Sequence, residues 1–266
     1  MSIDYEVIDG RIARIHLNRP ETHNSIGPDD ARAILSYLKQ SAADDAIRVV
    51  IFSGEGTNFS SGADLKDYDG LFGDIRSGKR SISAVREIYM TLLETVRVLR
   101  DPNLLSIAAP QGWAAGQGLE LCIASDFIVA SDDVHFYFAE SQVGAIMTSG
   151  MGKLLPQMVG LANARRLMLF GEKLPIAEAD RMGLVTKVVP KGQQVDIALE
   201  MAEQLAAGAP LALAHQKRIL DAGGAMDLAA VQDLEMNTSV WIGLSDDAVE
   251  AGRAFAEKRP PVFRGT

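Results

Sequence analysis

The spacing of apolar residues divides the chain into an alternating part and a helical part. Up to about residue 148, short apolar runs of strand length alternate with stretches in which apolar residues recur every three or four positions. This alternation predicts crossover units and an α/β core. Beyond that point the spacing is helical nearly throughout, apart from a strand predicted near residues 185–189. We expect one α/β core with a helical C-terminal part that packs on it or on a neighbouring subunit.

The first predicted unit is a hairpin. Residues 5–8 and 12–17 read as strands, and Asp9-Gly10 between them is typical of a tight turn. Further strands are predicted at residues 49–52, 104–109, 127–130 and 135–139. Helices are predicted at residues 28–43, 81–100, 227–241 and 246–258.

Composition and charge narrow the class of protein. The 266 residues are 47% hydrophobic and carry a formal charge of −9, which disfavours a nucleic-acid binder because such proteins usually present a basic stripe. Cys122 is the only cysteine, so no intramolecular disulfide is possible. The chain begins without a targeting signal and has no apolar run long enough for a bilayer. We expect a soluble, cytoplasmic protein with no membrane or nucleic-acid partner.

Two glutamates lie where a charged residue is unusual. Glu120 follows a Gly-rich turn in an otherwise apolar helix, and Glu140 follows the aromatic strand at 135–139. A carboxylate kept from water has its pKa raised toward the range where it exchanges protons near neutrality. Two such groups facing each other would form an acid–base pair. The alternative is structural, with Glu120 as a helix-start charge and Glu140 as a strand-end acid, and the residues alone leave the two interpretations about even.

Two glycine-centred segments are candidate ligand loops. Gly116-Gln117-Gly118 leads directly into the Glu120 helix, whose first N–H groups have no intrahelical acceptor and could hold a phosphate or a polarised carbonyl oxygen. The loop at 60–66 follows the 49–52 strand, and the Ala63 N–H could supply a second donor. Taken alone, each segment is more typical of a tight structural turn than of a ligand site. The four histidines form no metal-binding pattern, so no metal site is expected.

Short motifs follow one another along almost the whole chain. They are Asn18-Arg19-Pro20-Glu21, Ser61-Gly62-Ala63-Asp64-Leu65, Gly116-Gln117-Gly118-Leu119-Glu120-Leu121, Ala124-Ser125-Asp126, Ala179-Asp180-Arg181-Met182-Gly183-Leu184-Val185 and Phe255-Ala256-Glu257-Lys258-Arg259. Together, and in this order, they resemble the crotonase (enoyl-CoA hydratase/isomerase) superfamily.

The resemblance implies a core of repeated ββα turns forming a spiral, here residues 1–200, and a C-terminal helical trimerisation region, here residues 201–266. The implied assembly is a homotrimer or a dimer of trimers. The implied substrate is an acyl thioester of coenzyme A, with no separate cofactor. Two N–H groups would hold the thioester oxygen, and by position they belong to Ala63 and Gln117. The resemblance assigns contacts with coenzyme A to Ala63, Asp64, Leu65, Lys66, Phe255 and Lys258.

The acidic residues select among the reactions of the superfamily. Glu120 and Glu140 match both glutamates of its hydratases, which implies addition of water to a 2-enoyl-CoA, with Glu120 mainly the base and Glu140 mainly the proton donor. The alternatives are an enoyl-CoA isomerase, another acyl-CoA lyase or hydrolase, and a non-catalytic coenzyme A- or RNA-binding relative. Gln117 stands where these hydratases commonly have glycine, so its side chain is expected to change the acyl pocket.

Overall fold

The hairpin at the start of the chain forms one edge of the larger of two sheets. In the computed structural model, which describes residues 2–266, β1 (Ile3–Ile8) pairs antiparallel with β2 (Ile12–Leu17). Asp9 and Gly10 have left-handed φ values of 49° and 69° and are the central residues of a tight turn, which Arg11 N closes by donating to Ile8 O at 3.2 Å. The hairpin prediction is confirmed.

The larger sheet has six strands in the order β1-β2-β3-β4-β6-β9. The four added strands are β3 (Val49–Gly54), β4 (Leu105–Ala108), β6 (Phe127–Ser131) and β9 (Lys187–Val189). All four join in parallel. Residues 49–53 of β3 are buried on both faces, as expected of a central parallel strand covered by helices.

A smaller sheet lies beside the first, and a ββα unit with one strand in each sheet repeats along the chain. It contains β5 (Trp113–Ala115), β7 (His135–Tyr137) and β8 (Lys173–Pro175). After β4 the chain enters β5, and after β6 it enters β7, so each of these turns gives one strand to each sheet before a helix or helical turn follows. This is the ββα arrangement that the resemblance implies. β5 and β8 were not predicted because, unlike the equally short β7 and β9, they do not lie within a longer strand-like run of the sequence.

The helices cover both faces of the larger sheet. They are α1 (Pro28–Ala43), α2 (Leu65–Arg76), α3 (Ile82–Leu99), α4 (Gly116–Ala124), α5 (Met151–Val159), α6 (Leu161–Phe170), α7 (Ile176–Arg181), α8 (Gln194–Ala206), α9 (Pro210–Gly223), α10 (Leu228–Ile242) and α11 (Asp246–Glu257). One-turn 3-10 helices occur at Pro20–Thr22 and Glu140–Gln142.

Alternate residues of β3 face two different cores. Val50 and Phe52 belong to the large core with α1, α3 and α4, whereas Val49 and Ile51 pack with the alanines of α8. Residue 200 lies within α8, and the division of the chain at that position stays a prediction.

Helix α2 corrects the expectation of a loop through residue 66. Leu65 and Lys66 are its first two residues. Asp64 precedes them as the N-cap, and its carboxylate accepts a 3.1 Å hydrogen bond from the Lys66 N–H. A local cap therefore starts a helix that the charged composition of this segment concealed.

The C-terminal helices leave large apolar side chains exposed. On α9 and α10 these are Leu220, Leu228, Met236, Val240 and Trp241, exposed by 59% or more. Such a patch is typical of an interface, and the trimer stays a prediction. Within residues 2–266 no single helix has the length and apolar composition to cross a membrane. Helices α8 and α9 together have that length and composition, but they are bent by 109° relative to each other.

A buried lysine joins α9 to the core. Lys217 is 6% exposed, and its Nζ donates to Leu99 O (2.8 Å), Leu104 O (2.7 Å) and Asp126 Oδ2 (2.9 Å). Burial lowers the pKa of Lys217, while the Asp126 charge opposes that shift. Asp126 thus supplies the negative charge that the buried ammonium group requires.

We predict that Asp126→Asn destabilises the protein by roughly 3 kcal/mol, because removing one partner leaves a buried charge uncompensated. The matched control is Asp69→Asn, which breaks a 3.4 Å ion pair between Arg76 and a carboxylate that is 86% exposed. The control should cost less than about 1 kcal/mol. Thermal denaturation at one fixed protein concentration measures both, and equal losses would contradict the role of the pair.

Candidate active site

The loop at 60–63 lies against the start of α4. Ser60 and Ala114 form a parallel bridge, and Ala115 N donates to Ser60 O at 2.9 Å. Gly62 has φ of +90°, and a Cβ placed on it would lie 2.9 Å from Ala115 O. Only glycine combines this conformation with this approach. The two glycine-centred segments of the sequence are therefore neighbours.

This contact brings two N–H donors together. Gly62 O accepts from Ile26 N (2.8 Å) and Asp64 N donates to Ile26 O (3.0 Å), whereas the Ala63 N–H between them has no acceptor among residues 2–266. Gln117 is in the first turn of α4, where N–H groups have no intrahelical acceptor. A Cβ on Gly116 would lie 3.9 Å from Ala63 N.

Glu140 lies beside the same two segments. A Cβ on Gly116 would be 3.5 Å from Glu140 Oε1. The other oxygen, Oε2, is buried and has no hydrogen-bond partner among residues 2–266. Burial raises the pKa of the Glu140 carboxyl. The 3-10 turn after β7 thus places an acid with one unsatisfied oxygen beside the start of α4.

Glu120 lies one helical turn beyond Gln117 and is 6% exposed. Its Oε1 accepts a 2.5 Å hydrogen bond from the Thr148 N–H, and the Thr148 hydroxyl lies 3.1 Å from Oε2. Burial raises the pKa of Glu120 to about 7, the bonds from Thr148 oppose the shift, and the Glu140 charge adds to it. Burial thus raises the pKa of both carboxyl groups, and their role as an acid–base pair stays a prediction.

A narrow cavity of about 20 Å³ adjoins Glu120, with room for about one water molecule. Its polar lining is Glu120, Gln117, Thr95 and Ser149. Its apolar lining comes from α1, α3, α4 and Ile26. Gln117 therefore borders the space beside the acid. The effect of its side chain on the acyl pocket stays a prediction.

The residues assigned to coenzyme A by resemblance lie in two places. Asp64 pairs with Arg19 (Oδ2 to Nη2, 2.8 Å), and Leu65 is 63% exposed. Lys66 lines an open cavity of about 360 Å³ at α2 and α3 together with Arg32 and Arg80, and the acidic residues Asp67, Asp74 and Glu87 line it as well. Sequence reasoning missed these two arginines because they lie 34 and 14 positions from Lys66, and only the fold brings them near.

Phe255 and Lys258 lie at the end of α11. The Phe255 side chain is 88% exposed, and Lys258 ends the helix with φ of 55°. Neither residue lines the Glu120 cavity or the Lys66 cavity, and within residues 2–266 neither forms a backbone hydrogen bond with the Ala63 segment. Their predicted role at coenzyme A stays a prediction.

Sequence reasoning also missed Thr148 and Tyr68. Thr148 holds Glu120, and the Tyr68 hydroxyl is 2.6 Å from Gln117 Nε2. Neither belongs to a motif that carries the resemblance. No group of three or more histidine, cysteine or acidic side chains suited to a metal ion occurs in the described chain from residue 2 onward.

We predict that Glu120→Gln changes stability in a pH-dependent way. Unfolded Glu120 titrates near 4.5 and folded Glu120 near 7, so the wild type loses stability as the pH rises between these values. A neutral glutamine avoids this loss, and the variant should gain up to about 3 kcal/mol relative to wild type at pH 8 and little at pH 5. Thermal denaturation at both pH values measures the difference.

The control for this prediction is Glu203→Gln, since Glu203 is an exposed residue of α8. Its effect should be equal at the two pH values. A Glu120→Gln effect that is also equal at both would contradict the raised pKa of Glu120.

The chain is similar to known proteins over nearly its whole length. The sequence profile described as enoyl-CoA hydratase/isomerase matches residues 8–266. A Rhodobacter capsulatus protein named "Probable enoyl-CoA hydratase" is 33% identical over 264 residues, which cover 99% of this chain and 98% of that protein. A carnitinyl-CoA dehydratase of Salmonella enteritidis is 32% identical over 263 residues, which cover 97% of this chain and 96% of that protein.

Superposition on a solved structure supports the fold. The crystal structure of an enoyl-CoA hydratase from Bacillus anthracis superimposes with a TM-score of 0.91 at 28% identity and covers all of both chains. The sequence match and the superposition both span nearly the whole chain. The chain therefore belongs to the enoyl-CoA hydratase/isomerase family and has the crotonase fold.

Proposed function

We propose that this protein is an enoyl-CoA hydratase that adds water across the 2,3 double bond of a 2-enoyl-CoA. The observation that carries the proposal is the pair of neighbouring carboxyl groups, Glu120 and Glu140, both with raised pKa values, beside the unpaired N–H groups of Ala63 and Gln117. Family membership supplies the acyl-CoA as the class of substrate.

The two N–H groups form the proposed oxyanion hole. Attack of water at the β-carbon moves negative charge onto the thioester oxygen, and donors aimed at that oxygen stabilise the charge as it develops. The Ala63 N–H has no competing acceptor in the chain from residue 2 onward, so it needs no rearrangement to bind the oxygen.

The two carboxyl groups position the water and divide the proton transfers. Glu120 is held by Thr148 in one orientation and has a pKa of about 7, which suits a base that accepts a proton from water near neutrality. Glu140 then donates a proton to the α-carbon. Because the Glu140 charge adds to the raised pKa of Glu120, proton uptake by Glu120 depends on the protonation state of Glu140.

Other reactions of this family are alternatives to hydration. Dehydration of a 3-hydroxyacyl-CoA is the same reaction in reverse and needs the same groups. An isomerase would move one proton between two carbons and needs only one acid–base residue, so the second buried carboxyl group favours hydration. A non-catalytic coenzyme A- or RNA-binding role gives no reason to keep two acids buried at a cost to stability.

The proposal also assigns residues to the binding of coenzyme A. Lys66 would contact the phosphates of coenzyme A from the cavity that it lines with Arg32 and Arg80, where Asp67, Asp74 and Glu87 balance the positive charge. Asp64 and Leu65 would position that segment at the start of α2. Phe255 and Lys258 would contact the cofactor portion from α11. No metal ion or separate cofactor is required by these steps.

We predict that Glu120→Gln and Glu140→Gln each lower kcat for crotonyl-CoA by roughly 10²- to 10⁴-fold, because each removes one proton-transfer group. Binding of saturated butyryl-CoA, measured by calorimetry, should change by less than about 3-fold, since the oxyanion donors remain. Glu203→Gln is the control and should match wild type.

The same assay can also contradict the proposal. Wild-type protein that hydrates neither crotonyl-CoA nor longer 2-enoyl-CoAs is not a hydratase. A wild-type rate in only one of the two glutamate variants would remove that residue from the mechanism.

We predict that Gly62→Ala separates the two oxyanion donors and lowers kcat by about 10²-fold or more. The added Cβ would lie 2.9 Å from Ala115 O and push the Ala63 segment away from α4. Gly192→Ala is a matched control, because Gly192 has φ of +88° but no atom within 4 Å of the added Cβ. Both variants carry the same backbone strain, so an equal loss of kcat in both would contradict the oxyanion assignment.

A further inference from the structure

The Gln117 side chain has a polar atom that the chain does not satisfy. Gln117 Nε2 donates to the Tyr68 hydroxyl oxygen at 2.6 Å. Gln117 Oε1 is buried and has no hydrogen-bond partner among residues 2–266. A buried acceptor without a partner loses its bond to water and gains nothing in return, so this oxygen is suited to a donor that arrives with a ligand.

Tyr68 adds the complementary group. It lies on α2, is half-buried, and its hydroxyl oxygen already accepts from Gln117. No acceptor for the Tyr68 O–H proton occurs in the part of the chain that the structure describes. The pair therefore presents one free acceptor, Gln117 Oε1, and one free donor, the Tyr68 O–H.

The position of the pair determines which part of a substrate it would meet. Gln117 precedes Glu120 by three positions, so both side chains project from the same face of α4. Both line the same narrow cavity, whose other walls are largely apolar. The Gln117 backbone N–H is a proposed thioester donor, so the side chain of the same residue would lie near the acyl group of a thioester bound there.

We propose that Gln117 and Tyr68 form a polar subsite that selects acyl groups carrying a hydroxyl beyond the β-carbon. A hydroxyl is at once a donor and an acceptor, and so matches Gln117 Oε1 and the Tyr68 O–H together. This inference rests on the proposed function of the site and specifies its substrate class. An unsubstituted acyl chain of the same length would leave both polar groups unpaired.

The test compares two pairs of length-matched substrates in the intact protein. One pair is trans-2-pentenoyl-CoA and 4-hydroxy-trans-2-butenoyl-CoA; the other is trans-2-hexenoyl-CoA and 5-hydroxy-trans-2-pentenoyl-CoA. We expect wild type to prefer the hydroxylated member of at least one pair by about 10-fold in kcat/KM, because a buried polar site discriminates against an analogue that lacks the matching group. A preference for the unsubstituted member of both pairs would overturn the proposal.

Two variants assign the preference to named atoms. Gln117→Leu removes both amide atoms and keeps the backbone N–H, so it should abolish or reverse the preference. Tyr68→Phe keeps the ring and removes only the hydroxyl, so it should reduce the preference, and it tests the subsite even where Gln117→Leu fails to fold. Gln40→Leu, at an exposed position of α1, is the matched control and should retain the wild-type ratio. A wild-type ratio in Tyr68→Phe would contradict the role of the pair.

Binding separates this inference from the proposed reaction. Calorimetry with pentanoyl-CoA and 4-hydroxybutanoyl-CoA, and with the pair one carbon longer, measures the preference without turnover. A hydroxyl preference that Tyr68→Phe lowers, in a protein that hydrates nothing, would support the subsite and reject the hydratase. Hydration without any preference would support the hydratase and reject the subsite.

Discussion

The site depends on one close approach, between Gly62 and the backbone where β5 becomes α4. A Cβ added to Gly62 would lie only 2.9 Å from Ala115 O, so any larger residue at position 62 would force the two segments apart. The approach places the Ala63 N–H near the first turn of α4 and lets Glu140 reach the same point from the end of β7. Three segments that are distant in sequence thus meet in one small volume. Two of them supply the N–H donors of Ala63 and Gln117, and the third supplies the Glu140 carboxyl group.

The electrostatics of that volume follow from the packing around it. Glu120 is buried by the apolar faces of α1, α3 and α4, and the same burial that raises its pKa makes its charged form costly. Thr148 offsets part of this cost with two donors and fixes the direction of the carboxyl group. The protein gives up stability at this position, which is expected where an acid must exchange protons near neutral pH.

The sequence contained much of this arrangement. The parallel strands, the Asp9-Gly10 turn and the long helices follow from local patterns, and the fold and family implied by the motifs are confirmed. The proximity of Gly62 and Gly116 could be inferred from the resemblance but not from the residues. The Asp64 cap of α2, the Thr148 contact and the clustering of Arg32 with Lys66 were missed, because each depends on a tertiary contact or on a single hydrogen bond that leaves no periodic pattern.

The most direct test of the central claim is the fate of oxygen from labelled water. Incubation of a 2-enoyl-CoA with the protein in oxygen-18 water, followed by mass spectrometry, should give a 3-hydroxyacyl-CoA with one labelled oxygen on its acyl chain and the thioester intact. Label in a released carboxylate would identify thioester hydrolysis. An unlabelled product with a moved double bond would identify isomerisation, and either outcome would contradict hydration by Glu120 and Glu140.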